Sequence, residues 1–284
     1  MKELLKRSLS LFLTFKQRRE VIDYPQWRQK QVDLDEKERQ HIKDRISSLP
    51  DQICFTFLVD ARNCNSADLL KTIESVLFQL YPNWLLWIMN DAPLKTEIEE
   101  RILELQDNRI AITDLSSPEI GDWIIELPVG TQLSEDALSA HAFLIADNPT
   151  AKVVYSDHDH INPSGEFCDP YMKPGWNFDL FIAMNYLGPL IAFKRDIWEK
   201  HKNNRSDLHD FLLRNIENVS YEQIFHIPKI LTSLQITGDG KHLEPACRRV
   251  FQSVPEPEPL VSILIPTRDK GRLLEKCLQS LFEK

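Results

Sequence analysis

An α/β fold with a mostly parallel sheet flanked by helices is predicted by two features of this chain. Short apolar runs alternate with segments of helical period from Ile53 to Phe193, and polar turns stand where the runs end. Length and composition set the class. The 284 residues are 42% hydrophobic and 27% charged, enough to bury a substantial core and unlike a disordered chain.

Taken in order, the chain opens on a basic leader. Met1 to Arg19 carries Lys2, Lys6, Arg7, Lys16, Arg18 and Arg19 against Glu3 alone, with Leu4, Leu5, Leu11, Phe12 and Phe15 at helical spacing. Two readings stay open: an interfacial helix on an anionic membrane, or a terminal helix docked on its own domain. A second helix is expected from Asp35, whose side chain caps it with Glu38 completing a box, through Ile42 and Ile46 to Leu49, where Pro50 stops it.

From Ile53 the run ICFTFLV predicts a strand, followed by the turn DARNCN and a helix with Leu69, Leu70, Ile73, Val76, Leu77 and Leu80 on one face. Trp84–Met89, Arg109–Thr113 and Trp123–Leu127 read as further strands, and Thr96–Leu105 as a helix. Ser134–Asp147 reads as a capped helix, Val153–Ser156 as a strand, and Gly188–Phe193 as an apolar segment after a long polar connection. Ligands of such sheets lie beyond the carboxyl ends of the strands, which singles out Asp60–Asn65, Asn90–Pro93 and Pro128–Gln132.

Several functions are excluded early. With 34 basic and 43 acidic residues the net charge is −9, which disfavours nucleic acid. Glycine numbers only 8, and neither GxGxxG nor GxxxxGK[ST] occurs, so any nucleotide must be held in another way. Five scattered cysteines without a CxxC predict neither a disulfide framework nor a zinc ribbon and fit a reducing cytoplasm. No run approaches the roughly 18 apolar residues of a spanning helix.

Past Gly240 periodicity fades, and VPEPEP, with Pro255, Pro257 and Pro259, predicts an extended linker. Beyond it LVSILIPTRDKGRLLEKCLQSLFEK repeats the strand, turn and helix of ICFTFLVDARNCNSADLLKTIESVLFQ, with Arg268 falling on Arg62. The expected layout is a helical extension over 1–50, a domain over 51–240, a linker over 241–259, and the truncated start of a second copy over 260–284.

PTRD after an apolar strand, and YPNWLLWIMNDAP after the first long helix, resemble the opening strands of family-2 glycosyltransferases of GT-A fold. QWRQKQVDLDEKERQHIKDRISSLP resembles the helical leader of bacterial tandem glycosyltransferases of surface-polysaccharide clusters, VVYSDHDHINPSGEFCDPYMKPGWNFDLFIAMNYLG their central segment, and HIPKIL the segment after the usual catalytic position. The resemblance spans about residues 22–284 and implies a nucleotide-diphosphate sugar donor, a DXD pair that holds Mg²⁺ or Mn²⁺, and a carboxylate base acting on the acceptor hydroxyl.

Measured against that pattern the chain departs repeatedly. The nucleoside turn keeps one acid, Asp91, in Asn90-Asp91-Ala92-Pro93. Pro128, Val129, Gly130 and Thr131 stand where the DXD would be, so no bound Mg²⁺ or Mn²⁺ is expected. Matching Asp210 and Arg214 to the family's DYDLxLR puts Leu208 on the base position, with Asp207 beside it, and Thr232–Gln235 replace a customary aromatic and histidine. The expectation is a degenerate domain that scaffolds or binds acceptor beside an active second domain. The alternative is an active inverting transferase with Asp91 on the nucleoside and Asp207 or Asp210 as catalytic base.

Arg62 and Asn63, at the first strand's end, are candidates for a base or phosphate. Asp157, His158, Asp159 and His160 form the densest ligand cluster. On a strand Asp157 and Asp159 would face away from both histidines, either lining the donor pocket or serving as turn residues before Asn162, and a metal site there would need partners from elsewhere. Lys173, Trp176 and Asn185 fall in the stretch that the resemblance places beneath the donor, or else in a packed loop. The expected location is the cytoplasm, with possible peripheral contact at the inner membrane through residues 1–19.

Overall fold

The computed structural model describes residues 23–62, 64–90, 96–113, 120–201, 213, 219–236, 263, 265 and 271–282. The chain divides into two compact units, Met1–Arg248 and Arg249–Lys284. In the second, Gly271–Phe282 is a helix, as the internal repeat predicts.

The first unit is built on a nine-stranded sheet. Its strands are β1 (Phe55–Asp60), β2 (Trp84–Met89), β3 (Ile110–Thr113), β4 (Trp123–Glu126), β5 (Thr131–Leu133), β6 (Val153–Ile161), β7 (Phe167–Tyr171), β8 (Ile191–Lys194) and β9 (Ile224–Gln235). They lie in the order β3-β2-β1-β4-β8-β6-β9-β5, with β7 paired to β6 off that path. β1 pairs in parallel with β2 and β4, β2 with β3, and β6 with β9. β8 lies antiparallel between β4 and β6, and β5 and β7 are antiparallel to their neighbours. Six of the nine strands therefore run one way, the mostly parallel sheet that the alternating pattern predicts.

Helices cover both faces. On one face α3 (Ser66–Leu77) and α5 (Ala137–Asp147) bury Leu69, Ile73, Val76, Leu138 and Ala142 against Phe55, Phe57, Val59 and Val154, and Ile46 of α2 (Glu36–Ser47) joins them. On the other, Trp176, Phe181 of α6 (Phe178–Ala183), and Ile197 and Trp198 of α7 (Arg195–His201) meet Leu58, Ile124, Tyr155 and Phe193. Burial on both sides is why β1 reads as a continuous apolar run rather than an alternation. The α2 cap forms as expected: Glu38 N donates to Asp35 at 2.8 Å, and Asp35 N to Glu38 at 2.7 Å. Ahead of it α1 (Tyr24–Val32) is capped by Asp23. Between β2 and β3, α4 (Thr96–Leu105) matches its predicted bounds.

Two expectations need correction. The strand predicted over Val153–Ser156 continues to Ile161, because β7 and β9 pair with its polar half and supply ladder partners that local sequence does not announce. Asp157–His160 are thus strand residues, and the turn reading for them fails. The helix predicted from Ser134 begins at Ala137; Ser134 and Asp136 form a turn in which the Ser134 hydroxyl donates to Asp136, and Lys229 also meets that carboxylate. The sheet also holds one long strand with no predicted counterpart, Ile224–Gln235, which runs through Pro228. A proline has no N–H for the ladder, and the register duly slips there, from Ser156 opposite Ile227 to Asp157 opposite Ile230.

Candidate functional site

The register of β6 places the site. β8 pairs only with Val153–Tyr155, so Ser156–Ile161 extend past its end at the carboxyl side of the parallel strands, flanked by β7 and β9. Alternation then separates the cluster as predicted. His158 and His160 meet each other with ring centroids 5.4 Å apart, while Asp157 and Asp159 take other partners.

Asp159 is fully buried, and its carboxylate is already engaged. Arg28 of α1 forms an ion pair with it through Nε, Tyr24 donates its hydroxyl at 2.7 Å, and Ser233 of β9 donates to its other oxygen. Arg28 also donates to Ser233 at 3.0 Å, and its guanidinium lies 3.4 Å from the centroid of the Phe167 ring. Burial, then the hydrogen bond to Asp159, holds the Tyr24 phenol in its protonated form far above its ordinary range. Chemically this is a closed clamp that joins α1, β6, β7 and β9. Nothing in the sequence marks Arg28, because its partner lies 131 residues away.

Asp157 is also buried. It accepts from the backbone N–H of Lys173 at 2.8 Å and faces His226 Nε2 at 2.7 Å. His226 stacks on Tyr155, with centroids 4.9 Å apart and planes at 17°, and the Tyr155 hydroxyl donates to Pro174 O at 2.7 Å. His226 belongs to HIPKIL, and its pairing with Asp157 was not read from the sequence. The Lys173 ammonium is buried and donates to the carbonyls of Ser156 and Leu187. Burial pulls its pKa down to about 7, opposed by the charge on Asp157. Burial, then Lys173 and His160, pushes His158 down to about 2, so that imidazole is neutral.

Trp176 is buried against Phe181 and Tyr186 at centroid distances of 5.3 and 6.3 Å. Asn185 is half-buried, with its Oδ1 enclosed and without a hydrogen-bond partner among the described residues. Arg62 stands apart at the carboxyl end of β1, exposed and folded back on Asp60 with a 2.6 Å contact. The structure thus brings Asp157, Lys173 and the histidines together, gives Asp159 to the clamp, and keeps Arg62 on a different strand end. Asn63, Asp91, Asp207 and Asp210 lie outside the described residues.

The segment in the expected DXD position turns inward. Gly130 has φ +88° and donates its N–H to Thr72 of α3 at 2.9 Å, and Thr131 opens β5. Pro128–Thr131 is therefore a tight turn seated on α3, and it presents no carboxylate. Among the described residues no group of three or more His, Cys, Asp or Glu is arranged to hold a metal ion.

No protein-family model matches the chain. The chain is 30% identical to the uncharacterised protein y4gI of Sinorhizobium fredii over 87% of its length, and 22% identical to the O-antigen biosynthesis protein RfbC of Myxococcus xanthus over 92%. It spans only 33% and 24% of those two relatives. Among solved structures it overlaps TarS 1-349 of S. aureus in complex with UDP-GlcNAc, at 13% identity and TM-score 0.49, over 67% of this chain and 60% of that one. It also overlaps the mannosyltransferase PcManGT of Pyrobaculum calidifontis in complex with GDP-Man and Mn2+, at 13% identity and TM-score 0.47, over 70% and 64%.

Proposed function

We propose that this chain carries a family-2-type glycosyltransferase domain of GT-A fold, part of a longer protein of polysaccharide biosynthesis, whose own donor site has decayed into structural contacts. Its role is then to scaffold, or to bind acceptor for, a second transferase domain that begins in residues 260–284. The relationship to an O-antigen biosynthesis protein across 92% of the chain supports the polysaccharide setting. The observation that carries the loss of donor chemistry is the Pro128–Thr131 turn. A leaving diphosphate needs a cation against it, and here a glycine N–H bonded to Thr72 stands where carboxylates would hold one. Asp159, spent on Arg28, supports the same reading.

Isothermal titration with uridine or deoxythymidine diphosphate, with and without Mn²⁺, tests it. The expected result is no micromolar binding and no effect of the metal. Micromolar affinity lost on Asp91→Ala would favour an active transferase using Asp91, with Asp207 or Asp210 as base. Metal-dependent affinity lost on Asp157→Ala would place a metal site in β6.

The proposal extends to location. Among the described residues no helix is long and apolar enough to cross a membrane. Six basic residues between Met1 and Arg19, interleaved with leucine and phenylalanine, suit peripheral attachment to an anionic inner leaflet. Pelleting with anionic vesicles should weaken steeply with salt and be lost on deletion of residues 1–19. Equal pelleting with and without them would leave the docked-helix reading.

A further inference from the structure

Loop 184–190 meets β6 through Tyr186, whose ring lies edge-on to Tyr155 at 6.0 Å, and through the side chain of Lys173. The Nζ of Lys173 donates both to Ser156 O, in the strand, and to Leu187 O, in the loop, while the lysine's own N–H is fixed on Asp157. The fit leaves little space. A Cβ at Gly188, whose φ is +76°, would lie 2.6 Å from that Nζ and 2.9 Å from His158 Nδ1, so the loop's backbone is seated directly on the amine.

Two protonation states of this amine fit the niche differently. A neutral amine donates to both carbonyls and brings no charge into a medium of low polarity. An ammonium makes the same two bonds, but adds a desolvated charge. The surroundings do little to offset that. On β6, Asp157 favours the charge, but it is shared with His226 of β9, and His158 is a neutral imidazole. At α5, His141 is pushed down to about 4 by burial and stays neutral, while Asp136 is occupied by Lys229. Tyr171 of β7 packs against His158, and burial raises the phenol of Tyr186 in the loop above its ordinary range, so it stays protonated.

We propose that Lys173 is a proton-operated latch, holding loop 184–190 against β6 most firmly as a neutral amine and least firmly as an ammonium. The direction follows from linkage. With the loop lifted, the amine returns to the ordinary lysine range near 10.5, whereas docked it titrates at about 7. Below about pH 7 both states carry the proton, and the latch is at its weakest and insensitive to pH. Between about pH 7 and pH 10.5 docking releases a proton, so the latch tightens about tenfold per pH unit. The loop carries Asn185, and Tyr186 packed on Trp176, so the device sets how firmly those two side chains are held. It stands independently of the nucleotide question.

Hydrogen exchange of the amides of residues 184–190 in the whole chain, corrected for intrinsic rates, tests it. The opening constant should fall about tenfold per unit as pH rises from about 7 to about 9, and Lys173→Met should abolish that slope. An equal slope in both proteins, or opening that grows with pH, overturns the latch. If the methionine variant does not fold, NMR titration of the Lys173 side chain in the unsubstituted protein decides. A midpoint near 7 is required, and one near 10 refutes it.

Discussion

Arg28 illustrates how a single residue can decide whether a carboxylate is a ligand or a strut. Asp159 has no exposure, and the cation paired with it is the guanidinium of α1, so removing that guanidinium leaves a buried charge uncompensated. Arg28→Met is expected to cost about 3–5 kcal/mol in denaturant unfolding. Asp159→Leu combined with it should cost clearly less than the two single changes added, because the double variant buries no orphan charge. Strict additivity would mean that the pair is not energetically coupled. Gly188 makes a second case. Gly188→Ala should destabilise by about 1–3 kcal/mol, since the added carbon meets the amine and the backbone is left-handed there, and a thermal melt unchanged from that of the original chain would contradict this packing.

At the scale of elements, α1 and α2 are tied to the sheet and its covering helices by side chains. α1 reaches β7 and β9 through the clamp, and α2 reaches the turn ahead of α5 through a bidentate Arg39–Glu135 pair and α5 itself through Arg45 over the Phe143 ring at 4.1 Å. A chain starting at residue 51 should therefore melt lower and less cooperatively than one starting at residue 23, as followed by circular dichroism. Asp35→Ala, which removes only the cap, should cost about 1 kcal/mol. Legibility followed the same division. Trp84–Met89 and Thr96–Leu105 match their predicted bounds because a bounded apolar run and a 3.6-residue period need no tertiary help. β9 escaped because Pro228 and Lys229 break its apolar run, and the polar half of β6 escaped because its strand character comes from its neighbours. For the site, residue types were readable, and the separation of Asp157 and Asp159 from the two histidines followed from alternation. Their partners were not, since Arg28, His226 and Leu187 meet them only through the fold.

For the whole molecule, the nine strands among the described residues lie between Phe55 and Gln235, within the first compact unit. A protein ending at Arg248 is accordingly expected to keep a cooperative melt within a few degrees of the full chain, as read by calorimetry. A drop of many degrees would assign residues 249–284 to the same folding unit. The slip at Pro228 has a consequence for solubility. β5 pairs with β9 only opposite Thr232–Leu234, so the outer rim of β9 from Ile224 to Ile230 has no strand partner among the described residues. Such a rim invites pairing with a second molecule, and a residue without an N–H followed by a charged lysine blunts that invitation. Replacing Pro228 with threonine should restore a continuous row of donors and acceptors, and the variant should scatter more light at concentrations where the original chain stays monodisperse.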